Sequence, residues 1–340
     1  MYILGIETTC DESGLGLIEV KDNKLRIIKN ELSSQVKIHQ PYGGVVPILA
    51  AREHQKNLPL LLKRVKENFD LKKIDYLAFS VGPGLLPSLI AGKQFAQELS
   101  LKLKKRIIPV NHLAAHWFSV IINNKNINDW QKIISIEFPS LVLIVSGGHT
   151  TLYLFKSWNE KRKLGETVDD AAGECLDKCA RALGLDYPGG PEIEKKAKKA
   201  KNFFSLPKPL LTKGYQFSFA GLKTAFIDLL TELKKYQKIE DEIINDLAAS
   251  IQKTIFEILI YKTKKASQDL KIKTIIVSGG VSANQTLRKM FKKALPEAKI
   301  YFPQKQFATD NGVNIAIAGY FLWQENKLSM EAKEIEVFAR

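Results

Sequence analysis

One order of elements occurs in this chain and is then repeated. In the first half, YILGIE (2–7) reads as a strand, TTCDES (8–13) as a polar turn and GLGLIEV (14–20) as a returning strand. In the second half, SLVLIV (140–145), SGGH (146–149) and TTLYLF (150–155) read the same way. Each hairpin is followed by a later strand, a glycine-rich loop, a helix and a further strand: LAFSVGPG then RIIPV (106–110), and IIVSGGVS then KIYF (299–302). Duplication of one α/β unit accounts for this order. The 340 residues permit two cores, so two lobes are expected, and three turns at strand ends, taken together, point to a nucleotide cleft between them. The expected boundaries are 1–110 for the first lobe, completed by a terminal helix over about 314–340, and 111–313 for the second. Residues of about 168–270 read as a helical insertion, and a helix over about 46–69 is expected to kink or split at Pro59.

No apolar run approaches the roughly 18 residues of a membrane span, and the first residues lack a basic leader. Three cysteines are too few and too odd in number to staple such a chain, which suits a reducing compartment, so a cytoplasmic location is expected. The formal charge of +15 favours a phosphate-rich partner such as nucleic acid. Segments such as EKKAKKAK (194–201) are equally readable as solvated helix faces.

The three turns TTCDES, SGGH and SGGVSAN (278–284) each follow an apolar strand, leaving backbone N–H groups to cradle an anion. None matches a P-loop, and no GxGxxG opens a helix after the first strand. His112 and His116 stand one helical turn apart and can share a metal ion if a third ligand is supplied. His149, Asp310 or a carboxylate within 169–177 could supply it, and a pair satisfied by ordinary hydrogen bonds is the competing reading. A zinc peptidase is disfavoured because Leu113 occupies the position of the HExxH glutamate. Asp169, Asp170 and Glu174 read as caps at the start of their own helix, with Asp177 far enough along to grip a ribose or an amine. Cys175 and Cys179 read as small core residues, and Gly189 and Gly190 permit close approach of a ligand.

GIETTCDES (5–13), NHLAAH (111–116), LIVSGGHT (143–150), DDAAGECLDK (169–178), YPGGPEIEK (187–195), FSFAGLKTA (217–225), SGGVSANQTLR (278–288) and TDNGVNIA (309–316) together resemble the TsaD family. These are the tRNA N6-adenosine threonylcarbamoyltransferases, formerly described as glycoproteases, and the ETTCDES turn is similar to the bacterial branch. The resemblance implies an actin-like ATPase fold. It also implies transfer of threonylcarbamoyl from threonylcarbamoyl-AMP to N6 of adenosine 37 in tRNAs reading ANN codons, the t6A modification. By the same resemblance His112, His116 and Asp310 hold one divalent ion, iron(II) first and zinc as the alternative. The nucleotide, threonylcarbamoyl-AMP or ATP, contacts Ile144, Val145, Ser146, Gly147, Gly148, Asp177, Gly190, Glu194 and Asn284. Implied partners are tRNA, a paralogous TsaB-like subunit and a TsaE-like small ATPase, with a separate TsaC-type synthase supplying the adenylate.

Because the exocyclic amine of adenine is a poor nucleophile, a carboxylate that takes its proton helps the transfer, and Asp11 and Glu12 are the candidates. Ala220 stands where the family frequently has Ser, so no hydroxyl role is expected there. The glycine turns alone would equally fit a small-molecule kinase of the same fold, which needs no histidine pair.

Overall fold

The structure is a computed structural model that describes residues 1–122, 128–158, 160–236, 238–326 and 328–339. A first sheet holds β1 (Tyr2–Glu7), β2 (Glu12–Lys21), β3 (Lys24–Ser34), β4 (Tyr76–Gly82), β5 (Ile107–Asn111) and β6 (Gln131–Lys132). A second holds β7 (Ser140–Val145), β8 (Thr150–Phe155), β9 (Lys161–Glu166), β10 (Thr274–Ser278) and β11 (Lys299–Tyr301). The α-helices are α1 (Val36–His39), α2 (Pro47–Lys66), α3 (Leu86–Leu103), α4 (His112–Phe118), α5 (Ala172–Ala182), α6 (Gly189–Ala197), α7 (Ala220–Tyr236), α8 (Asp241–Asp269), α9 (Gln285–Ala294) and α10 (Gly312–Asn326).

The strand orders are β5-β4-β1-β2-β3-β6 and β11-β10-β7-β8-β9. Numbered within its own unit, each sheet contains the run 5-4-1-2-3. An antiparallel meander is extended by two strands parallel to its first member. The duplicated order of the sequence is thus a duplicated topology.

The chain divides into two compact units, Met1–Ser135 with Pro303–Arg340, and Ile136–Phe302. The divisions expected after 110 and 313 fall elsewhere: α4 and the turn before α10 both belong to the first unit. The reason is packing, because α4 continues directly from β5 and lies on α10, with Phe118 stacked on Phe321 at 4.6 Å between ring centroids.

Alternation along β1 and β2 decides the first unit. Leu4, Ile6, Leu15 and Leu17 share a core with Leu58, Leu61 and Val65 of α2 and with Leu77 and Phe79 of β4. The opposite face carries Gly5 and Gly16, as a period of two requires. A Cβ on Gly5 would lie 2.0 Å from the Gly312 carbonyl, and one on Gly16 would lie 2.1 Å from the Val313 nitrogen. Bare backbone therefore lets the start of α10 rest directly on the sheet. Glu7 follows Gly5 at the same parity, so its carboxylate turns toward that helix.

In the second unit Leu141, Leu143 and Val145 of β7 share one core with Cys175 and Cys179 of α5, Phe226 of α7 and Ile251, Ile255 and Ile258 of α8. The insertion-like helices cover the sheet, and the two cysteines are core residues.

Several elements differ from expectation. β3 and β9 were not anticipated because KLRIIKNELSS and KRKLGE are largely polar; such sequences suit lateral strands that bury little. Pro59 neither ends nor splits α2, since it lies on the exposed face, where water serves the carbonyl left without a partner. The terminal helix stops at Asn326, and the chain then runs back along the first unit, pairing Met330 with Ile107. Lys327 and Arg340, within the expected helix, lie outside the described residues.

Candidate active site

The first site is built at the strand ends of the first unit. Asn111 caps α4 by accepting from the Leu113 N–H at 2.9 Å, so His112 opens the helix and His116 follows one turn later on the same face. Asn311 caps α10 by accepting from the Asn314 N–H at 2.9 Å, which presents the preceding Asp310 to the imidazoles. Asp310 Oδ1 lies 3.6 Å from His112 Nε2 and 3.4 Å from His116 Nε2. One ligand atom from each of these residues falls within 4.8 Å of the others.

The other nitrogen of His112 is already engaged. Nδ1 lies 3.0 Å from Glu7 Oε2 and 3.2 Å from Thr9 Oγ1, and Glu7 Oε1 accepts from the Thr9 N–H at 2.7 Å. With its Nδ1 proton given to Glu7, the neutral ring of His112 would present its Nε2 lone pair to the position shared with His116 and Asp310, where an ion takes the place of a proton. A carboxylate behind a ligating imidazole fixes its tautomer and raises its basicity. The donor set of two imidazoles and a carboxylate therefore fits a divalent transition metal.

Electrostatics follow the same geometry. Burial opposes charge on His112, but the Asp310 and Glu7 carboxylates outweigh it and push the imidazole up to about 9 in the metal-free protein. Burial alone would raise Glu7, yet the charge and hydrogen bond of His112 hold its carboxyl below the usual range. Asp11 lies in the β1–β2 turn and Glu12 heads β2, where its Oε1 accepts from Ser34 Oγ at 2.9 Å. Burial raises both carboxyls, the negative charge of Asp310 raises them further, and Glu12 reaches about 8. A carboxyl raised to about 8, as in Glu12, lies in the range where a group exchanges its proton near neutral pH.

The second site is at the equivalent strand ends of the second unit. Ile144 and Val145 lie wholly buried in β7 and offer a ligand only their main chain. Beyond them, Ser146 closes the turn through N–H to the His149 carbonyl at 2.8 Å, while its Oγ accepts from the His149 N–H at 3.1 Å. His149 thus serves the β7–β8 turn. Gly147 and Gly148 are exposed, and a Cβ on either would meet nothing within 4 Å. Asp177 Oδ1 accepts from the N–H groups of Gly189 and Gly190 at 2.7 and 3.2 Å, tying α5 to the start of α6. Glu194 Oε1 accepts from the Gln285 N–H at 3.1 Å. Asn284 caps α9 through Oδ1 and donates Nδ2 to Gln252 at 2.8 Å. These contacts gather Asp177, Gly190, Glu194 and Asn284 around the helix starts α6 and α9.

The acidic cluster needs a correction. Asp169 and Asp170 do not cap their own helix, whose N-cap is Ala171. Asp169 caps α7, accepting from Phe219 N–H at 2.7 Å, Ala220 N–H at 3.2 Å and Ser218 Oγ at 2.6 Å. Asp170 binds Lys178 and Lys223 at 2.8 Å each; burial would raise its carboxyl, but the two ammonium groups outweigh it and lower it. Glu174 matches its expected role, its carboxylate accepting from the Ala171 N–H at 3.3 Å. Sequence inspection missed Glu7 and Thr9 as partners of His112. The available signal was parity, since Glu7 sits on the glycine face of β1 at the strand end.

Comparison with known proteins decides what these sites belong to. The TsaD family, tRNA N6-adenosine threonylcarbamoyltransferase, matches residues 26–317. The chain belongs to that family. A tRNA N6-adenosine threonylcarbamoyltransferase of Thermosipho africanus is 44% identical over 331 residues, covering 96% of this chain and 95% of the relative. One from Persephonella marina is 42% identical over 341 residues, covering 97% and 93%. Among solved structures, HypF of T. kodakarensis aligns with a TM-score of 0.57 at 15% identity, over 97% of this chain and 48% of that one. (R)-2-Hydroxyglutaryl-CoA dehydratase component A of Acidaminococcus fermentans aligns with a TM-score of 0.56 at 14% identity, over 96% and 100%. At such identities the structural likeness speaks for the fold alone, the actin-like ATPase arrangement of two like sheets. The kinase alternative finds no support in the TsaD relatives. Among the described residues, no helix of this TsaD-family chain is long and apolar enough to cross a membrane.

Proposed function

We infer that this chain transfers the threonylcarbamoyl group of threonylcarbamoyl-AMP to N6 of adenosine 37 in tRNAs that read ANN codons. The observation that carries the reading is the convergence of His112, His116 and Asp310, with Glu7 behind His112, in a chain of this family.

The substrate is a mixed anhydride of a carbamate and AMP, so its carbonyl carbon is activated and orientation is the main requirement. His112, His116 and Asp310 would hold one divalent ion, iron(II) or zinc, which when bound supplies Lewis acidity to a carbonyl. The turn at Ser146, Gly147 and Gly148, with Asp177, Gly190, Glu194 and Asn284, holds the adenylate. Ile144 and Val145 support that turn from within the sheet. The adenine N6 forms a bond to the carbonyl carbon, the anhydride C–O bond breaks, and AMP leaves. The proton lost from N6 passes to Asp11 or Glu12, whose raised affinity for protons suits the task. Adenosine 37 lies in an anticodon loop, where an unpaired base can be splayed out for reaction. The +15 charge steers the tRNA backbone, which makes binding salt-dependent. A TsaB-like subunit and a TsaE-like ATPase support turnover in the cytoplasm, and a TsaC-type synthase supplies the adenylate.

The test is reconstitution with preformed threonylcarbamoyl-AMP and unmodified tRNA, with and without those partners, at controlled metal. Mass analysis should find t6A at position 37. Absence of product from the metal-loaded chain with all partners present overturns the reading. Asp11→Ala should abolish transfer while adenylate binding persists.

A further inference from the structure

The turn between β1 and β2 is held from outside by its carbonyl groups. The Thr9 carbonyl accepts from the Leu85 N–H at 2.8 Å and the Asp11 carbonyl from the Gln35 N–H at 2.9 Å. Both donors are backbone. Between them, the Cys10 carbonyl accepts from His54 Nε2 at 3.0 Å, with Ser88 Oγ further away at 3.4 Å. Among the described residues, His54 is thus the side chain with the shorter bond to the Cys10 carbonyl.

Its placement is costly. The buried stripe of α2 runs Ala50, His54, Leu58, Leu61 and Val65, so position 54 is a core position where leucine would pack without a polar atom to satisfy. His54 is wholly buried, and burial lowers its affinity for a proton, which keeps the ring neutral. A neutral ring that donates from Nε2 must accept at Nδ1. Nδ1 lies 2.8 Å from Ser13 Oγ and 3.3 Å from Gln35 Nε2, both able to donate. The Gln35 Oε1 accepts from His39 Nε2 at 3.1 Å, and His39 Nδ1 accepts from the Val46 N–H at 3.3 Å. Every member of this buried chain has one consistent proton placement, and all of it ends at the Cys10 carbonyl.

We propose that His54 is a positioning residue, locked in its Nε2–H tautomer by Ser13, Gln35 and His39 so that its bond to the Cys10 carbonyl sets the turn from which Thr9 reaches His112 and on which Asp11 is carried. The inference rests on the transferase reading for its activity readout, but its metal-binding readout does not.

The experiment compares His54→Leu and His54→Gln with the wild-type chain in the reconstituted system, beside equilibrium metal binding by dialysis. Leucine fills the core position without a donor, whereas glutamine keeps an N–H that can reach the Cys10 carbonyl. In His54→Leu, kcat and metal affinity should each fall by about 10- to 100-fold, the range for groups that orient a metal ligand, with KM for threonylcarbamoyl-AMP unchanged. His54→Gln should recover most of both. Wild-type kcat and metal affinity in a folded His54→Leu overturn the proposal, and so does a His54→Gln no better than His54→Leu. If His54→Leu does not fold, Ser13→Ala decides: it frees the ring to adopt the other tautomer and should lower kcat and metal affinity severalfold, and wild-type values there overturn the proposal. Failure of the wild-type chain to transfer, with metal affinity still falling in the variants, sinks the transferase reading and leaves the positioning role standing.

Discussion

The turn after β1 and the turn after β7 occupy the same place in the same topology, yet they are furnished in opposite ways. In the first unit the strand ends are crowded: a Cβ on Gly84 would lie 2.7 Å from the Thr9 carbonyl, and Glu7, Thr9 and His112 form a buried polar cluster. In the second unit Gly147 and Gly148 face open space, and the surrounding polar groups are bound to helix starts. A crowded turn holds side chains rigidly enough to preorganise metal ligands. An open one leaves main chain to a ligand that brings its own charges. One duplicated scaffold therefore carries a candidate metal centre made of side chains in one unit and an open backbone turn in the other.

The sharpest way to break this contrast is to remove a ligand of the crowded site. His116→Ala or Asp310→Ala should abolish stoichiometric metal, measured by elemental analysis of the purified chain, and cut transfer by more than about a hundredfold, beyond the cost of losing an outer partner. Glu7→Gln keeps the shape but loses the charge behind His112, so metal affinity should fall about 10- to 100-fold. Retained affinity would show that His112 orients itself.

Two alanine substitutions then test crowded against open. Gly84→Ala should destabilise the fold by about 1–3 kcal/mol through overpacking against Thr9, read by thermal or urea unfolding. Gly148→Ala should leave stability within about 0.5 kcal/mol and instead weaken adenylate binding. Equal losses of stability would erase the distinction.

A further test is a pH dependence in the first unit. Glu12 binds its proton up to about 8 when folded, above its ordinary 4.5, so the folded state holds the proton more tightly. Its contribution is complete below pH about 4.5 and is lost progressively as pH climbs through about 8. Glu12→Gln should flatten that part of the stability profile, and an unchanged profile would place the dependence elsewhere.

Much of the candidate metal centre was legible because its information is local. His112 and His116 share a helix face by spacing alone. Glu7 went unread although the parity of Gly5, Glu7 and Gly16 was visible, since parity acquires meaning only when the helix on that face is known. Asp169 and Asp170 were misread for the complementary reason. Capping by the nearest helix is the local solution, whereas Asp169 reaches across to α7 and Asp170 pairs with Lys178 and with Lys223 of α7. Those choices depend on how α5 and α7 pack, which no short window of sequence contains.

What the sequence by itself determined was the repeated element order, the two-residue alternation that lines one face of β1 and β2 with glycine, and the four-residue interval of the histidines. Each follows from steric and hydrophobic rules acting over a few residues. Only the tertiary structure decided that Asp310 completes the histidine pair, that α4 belongs with the terminal helix, and that Glu7 lies behind His112. Those outcomes require α10 to settle on bare backbone at Gly5 and Gly16, a close approach between segments at opposite ends of the chain that arises from packing rather than from any local preference.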